Sequence, residues 1–144
     1  MTRTTETTMS RIQLALNVSD LDEAVDFYST LFRTSPRKVR PGYVNFAIDE
    51  PPLKLILVEG EGAGGSINHL GVEVDSTDDV AAAIDHLDAA GLATDVRTAE
   101  LCCHAVQDKV WVAGPDRERW EVYTVLEDEP ATASSELPLL QACC

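Results

Sequence analysis

The chain has 144 residues, 44% of them apolar, with a formal net charge of −14. That length and apolar content suit one folded domain with a real core. The acidity excludes a general binder of nucleic acid or anionic membrane, since both need clustered positive charge, and no apolar run approaches the roughly 20 residues of a membrane span.

In chain order, residues 1–10 are Thr-rich and lack an apolar stretch, so they read as a disordered leader and not as a signal peptide. Residues 11–18 alternate Ile12, Leu14, Leu16 and Val18 against Gln13, Ala15 and Asn17, the period of a strand. Ser19 or Asp20 caps a helix whose first turn holds Asp22 and Glu23, and whose stripe is Leu21, Ala24, Val25, Tyr28, Leu31 and Phe32. Pro36 and Pro41-Gly42 break the chain, and residues 43–48 and 53–58 read as strands. Residues 60–65 carry four glycines in six positions and read as a linker. A second strand-and-helix unit starts at Ile67, with its helix from Thr77 to Leu87 and Gly91 as its stop. Residues 93–98, 109–113 and 119–126 are strand candidates, and 99–108 reads as a loop. From residue 127 the chain is a Pro-, Ser-, Glu- and Ala-rich tail without periodicity, expected to be flexible, that ends in Cys143-Cys144.

Two of these segments repeat at an offset of 56: Gln13-Leu-Ala-Leu-Asn-Val-Ser-Asp20 and His69-Leu-Gly-Val-Glu-Val-Asp-Ser76. Internal repetition fixes architecture before any motif does. Each copy is a strand, a helix, then two or three strands. The expected fold is therefore α+β: two βαβββ modules, 11–59 and 66–126, in a curved mixed sheet or partial barrel around a metal cleft. The modules could pair within one chain or across a homodimer.

The repeat puts Gln13 and His69 at equivalent points, and Glu121 lies in the last apolar strand between Trp120 and Val122. One imidazole, one carboxylate and one amide oxygen on one side leave open coordination positions, as at Fe(II) oxygenase centres. A solvated Gln13 and Glu121 with a satisfied core His69 is the bland alternative. Four cysteines come as two adjacent pairs, a poor disulfide framework, so reduced thiols and a cytoplasmic location are expected. Cys102-Cys103 in a loop would chelate a soft species such as trivalent arsenic or cadmium; a regulatory disulfide or simple packing also fits. His104 and Lys109 lie near enough in sequence to steady an anion there, with solvated faces as the alternative.

The segments Gln13-x4-Val18-Ser19-Asp20-Leu21-x5-Phe27-Tyr28, Asn68-His69-x-Gly71-Val72 and Gly114-Pro115-Asp116-x4-Glu121 resemble the vicinal-oxygen-chelate superfamily of glyoxalase I, extradiol dioxygenases and bleomycin-resistance proteins, over residues 11–126. That resemblance implies metal ligands at Gln13, His69 and Glu121. Glyoxalases add a carboxylate at the end of the first module, where this chain has Leu55-Ile56-Leu57. With Cys102-Cys103 included, the chain is similar to the branch of organoarsenical carbon–arsenic lyases and cadmium-induced proteins. The branch implies Fe(II) as cofactor, O2 as co-substrate, and a trivalent organoarsenical (methylarsenite or an aryl arsenite) held by Cys102 and Cys103 and cleaved to arsenite. A non-catalytic cadmium- or metalloid-binding protein, and an extradiol-type dioxygenase on an aromatic substrate, are the alternatives.

Overall fold

The computed structural model describes residues 10–102 and 104–128. Residues 1–9 of the expected leader, Cys103 and the segment with Cys143-Cys144 lie outside them. The elements are β1 (Arg11–Val18), α1 (Leu21–Phe32), β2 (Lys38–Arg40), β3 (Tyr43–Ile48) and β4 (Leu53–Glu59), then β5 (Ile67–Glu73), α2 (Thr77–Ala89), β6 (Thr94–Cys102), β7 (Ala105–Ala113) and β8 (Arg119–Asp128). This is the expected α+β class, with two successive βαβββ modules and a mixed sheet. By compactness the chain divides inside β5, into Arg11–Gly71 and the chain from Val72 on.

In the first unit the strand order is β2-β3-β4-β1-β5. β1 runs parallel to β4, and β3 runs antiparallel to β4 and to β2. A parallel pair needs a crossover, and α1 supplies it. Asp20 caps that helix, accepting from Glu23 N at 3.0 Å, and Arg33 ends it in the left-handed region at φ 56°. The helix stripe, Leu21, Ala24, Val25, Tyr28 and Phe32, packs on the buried cluster of Val44, Phe46, Ile48, Leu55 and Leu57. Strand alternation then sends Gln13, Ala15 and Asn17 of β1 to the other face of the sheet, away from Leu14 and Leu16. All three are buried there.

The second unit packs α2 on β6, β7 and β8, ordered β8-β7-β6 and antiparallel throughout. Ser76 caps α2, accepting from Asp79 N at 3.2 Å.

β2, the third strand that the first βαβββ module calls for, was not located in the sequence, because three residues between prolines are too few to show a period; it exists because β3 pairs with it, Lys38 opposite Asn45. The expected loop at 99–108 is instead a hairpin. β6 runs to Cys102, β7 starts at Ala105, and only two residues connect them. A register shift between Arg97 and Glu100 hid the strand's alternation. Ala99 sits in that bulge at φ 50°, its N–H donating to Asp108 Oδ1 at 2.7 Å. Asp108 Oδ2 also accepts from Thr77 Oγ1 at 2.8 Å. One buried carboxylate thus satisfies the bulge backbone and ties it to the first residue of α2.

Candidate metal and thiol sites

His69 is 1% exposed and Gln13 is 2% exposed, on the neighbouring strands β5 and β1 of the first unit. A chain of hydrogen bonds fixes the imidazole. The Ala63 carbonyl can only accept, so Ser66 Oγ donates to it at 2.5 Å. Ser66 Oγ accepts from Asn17 Nδ2 at 2.9 Å, and Asn17 Oδ1 accepts from Asn68 Nδ2 at 3.0 Å. Asn68 Oδ1 is then the acceptor facing His69 Nδ1, 2.8 Å away. The proton therefore sits on Nδ1, which leaves the lone pair on the buried Nε2. An acceptor on the other ring nitrogen is also what fixes the tautomer in metal-binding histidines. Gly62 makes room for the chain, because a Cβ there would lie 2.8 Å from Asn17 Nδ2. Sequence reading missed Asn17, Ser66 and Asn68 as a unit, since nothing in their spacing announces the contact.

On the same face as Gln13, β4 presents Lys54, Ile56 and Val58, so no second carboxylate joins it from that strand. Lys38, Lys54 and Asn45 are also buried polar groups of this unit, and sequence reading did not single them out.

In the second unit, β7 and β8 pair Lys109 with Tyr123 and Trp111 with Glu121. Alternation puts these four on one face, with Gln107, and Cys102 of β6 joins them. Glu121 (3% exposed), Lys109 (1%) and Cys102 (0%) are buried together. Lys109 Nζ is 2.8 Å from Glu121 Oε1 and 3.2 Å from Cys102 Sγ. Gln107 Nε2 donates to the Cys102 carbonyl at 3.0 Å, while its Oε1 has no partner among the described residues. Trp111 lies under two cations, with Lys109 Nζ 5.3 Å and Arg119 Cζ 4.3 Å from its ring centroid. The polar residues at 107, 109, 121 and 123 follow a period of two, from which the reading of 99–108 as a loop had left out Gln107. His104 sits in the hairpin turn at φ 65°.

Cys102 is disulfide-bonded, with its partner outside the described residues. The expectation of reduced thiols fails at this residue: Cys102 is no loop thiol but the end of a strand, its sulfur enclosed by the sheet face. Among the described residues no three His, Cys, Asp or Glu side chains cluster as a metal site. The expected set has only two ligands of those types, its third donor being the Gln13 amide. Nor is any helix among the described residues long and apolar enough to cross a membrane.

Residues 11–122 match the model of the glyoxalase/bleomycin resistance protein/dioxygenase superfamily, and the chain belongs to that family. Within it, the chain is 59% identical over 126 residues to the cadmium-induced protein CadI of Mycobacterium tuberculosis (strain ATCC 25618 / H37Rv), spanning 88% of this chain and 83% of the relative. It is 53% identical over 137 residues to a trivalent organoarsenical cleaving enzyme of Thermomonospora curvata, spanning 94% of this chain and 89% of the relative. Among solved structures, the Mn(II)-bound glyoxalase of Novosphingobium aromaticivorans superposes with a TM-score of 0.61 at 22% identity, over 83% of this chain and 41% of that one. That likeness is one of fold.

Proposed function

We propose that this protein is an Fe(II)-dependent dioxygenase that cleaves the carbon–arsenic bond of trivalent organoarsenicals, methylarsenite or aryl arsenites, to arsenite. The reading rests chiefly on the buried Cys102–Lys109–Glu121 cluster in a chain 53% identical to a trivalent organoarsenical cleaving enzyme. A catechol dioxygenase has no use for a sulfur there.

Gln13, His69 and Glu121 would hold the metal. Their chemistry suits iron(II): a neutral imidazole with its tautomer set by Asn68, a carboxylate, and a neutral amide oxygen. Bound iron(II) would supply the centre at which O2 becomes reactive toward the substrate. The chain's own part is to bind and orient. Once a cellular thiol has reduced the disulfide, supplying two electrons and two protons, Cys102 and Cys103 each displace a hydroxyl from R–As(OH)2. Two As–S bonds form, two As–O bonds break, and two waters leave. The organic group stays on arsenic, ready for cleavage. The burial of Cys102 keeps water from competing for arsenic.

The likeness to a cadmium-induced protein favours a second reading, a non-catalytic metalloid- or cadmium-binding protein. Anaerobic reconstitution with Fe(II), then methylarsenite and air, separates the two. Arsenite released in proportion to Fe(II) supports the enzyme. Stoichiometric retention of methylarsenite without arsenite would leave the binding protein.

A further inference from the structure

The metal and thiol readings give the buried Lys109 no role of its own. Lys109 is 1% exposed, and its ammonium lies between a carboxylate oxygen at 2.8 Å and a sulfur at 3.2 Å. A buried ammonium costs several kcal/mol unless it is compensated. One carboxylate would suffice for that, yet the same nitrogen also reaches Cys102. We infer that Lys109 is a positioning residue that holds the reduced Cys102 as a thiolate, using charge which Glu121 fixes in place. This rests on the proposed arsenical chemistry, because the thiolate is the form that binds soft metalloids.

The physical need is plain. Cys102 is completely buried, and burial alone disfavours a charged sulfur. A cation in contact reverses that. The other charged or titratable groups nearby are Arg97 and Glu100 on β6, His104 in the turn, and Glu121 and Tyr123 on β8. Arg97 is engaged with Asp95 and Glu100, at 2.7 and 3.2 Å, on the exposed part of the strand. Asp108 points to the opposite face, toward Thr77 and Ala99. Lys109 is the cation seen in contact with the sulfur, at 3.2 Å, and Glu121 is the anion that shares it.

The arrangement predicts opposite signs for two substitutions. Replacing Lys109 by Met removes the cation and should raise the ionisation midpoint of Cys102. Replacing Glu121 by Gln removes the competing anion, leaves the ammonium to the sulfur, and should lower it. A merely structural disturbance would move both in one direction.

The test uses the full chain carrying Cys103→Ser, Cys143→Ser and Cys144→Ser, so that Cys102 is the one thiol, with chelator present. The rate of alkylation by iodoacetamide is followed against pH. The parent should show a midpoint below the ordinary thiol value of about 8.5. Lys109→Met should raise it by about one pH unit or more, which slows alkylation at neutral pH about tenfold. Lys109→Arg should keep it low, and Glu121→Gln should lower it further. An unchanged profile in Lys109→Met, or a rise in Glu121→Gln, overturns the inference. If Lys109→Met does not fold, the parent midpoint and the Glu121→Gln shift still decide. Neither iron nor arsenic enters the measurement, so a chain that fails to cleave carbon–arsenic bonds can still pass it.

Discussion

At the scale of single residues, a chain of side-chain hydrogen bonds orients the buried His69. Its tautomer follows from a backbone carbonyl through Ser66, Asn17 and Asn68, each step leaving the next no choice of donor and acceptor. Asn17→Ala and Gly62→Ala should therefore weaken Fe(II) binding about 10- to 100-fold, the usual cost of losing an outer-shell partner. The Gly62 change acts by pushing Asn17 aside. Metal titration under anaerobic conditions measures it, and affinity unchanged in both variants would show that His69 needs no such support. The proposed ligands carry a sharper expectation. His69→Ala and Glu121→Ala should each abolish arsenite release while circular dichroism stays native-like. Gln13→His should keep or tighten metal binding, since imidazole is the better iron(II) ligand. Full turnover by either alanine variant with added Fe(II) would remove the proposed ligand set.

At the scale of elements, the β6–β7 hairpin decides where the sulfur goes. A strand without a bulge would carry its alternation straight through. The register shift between Arg97 and Glu100 changes which residues reach the buried face, and Cys102 ends on it opposite Ala105. Asp108 pins that bulge to α2 through Ala99 N and Thr77 Oγ1. Asp108→Ala removes the buried carboxylate that accepts from Ala99 N and Thr77 Oγ1, two residues that are themselves exposed and can turn to water. It should cost about 1.5 kcal/mol, the lower end of the usual value for hydrogen bonds to a charged group, read as a lower midpoint in urea unfolding. It should also loosen arsenical binding without changing iron content. A variant as stable as the parent would mean that the hairpin holds its bulge by strand pairing alone.

At the scale of the whole molecule, all ten described elements end by Asp128, two residues beyond the boundary expected from sequence. A chain that stops at Asp128 should fold and keep Fe(II) binding, because every proposed metal ligand and both helix-backed sheet faces precede that point. It should also cleave methylarsenite at saturating concentration once reduced. Loss of iron binding in a well-folded truncation would show that the remaining residues belong to the metal site. Non-reducing mass spectrometry of the same chain, before and after alkylation, tells whether the Cys102 disulfide survives without Cys143 and Cys144.

The sequence by itself determined the class of fold. Period-two alternation, two capped helices and the repeat of Gln13 and His69 are local signals, carried by neighbours along the chain. The paired βαβββ order follows from them, and so does the placing of Gln13 on the face opposite Leu14 and Leu16. The resemblance to a known superfamily marked His69 and Glu121 from motifs equally local. Other features had no local trace. β2 is a strand only because β3 pairs with it. Residues 99–108 form a hairpin because Asp108 satisfies a bulge nine residues away. The relay to His69 joins Asn17 to Ser66 and Asn68 across about fifty positions. The meeting of Lys109 with both Cys102 and Glu121 depends on three strands coming into register. Tertiary structure decided these points, because a hydrogen bond or an ion pair between distant residues depends on register, bulges and burial, which no window of sequence contains.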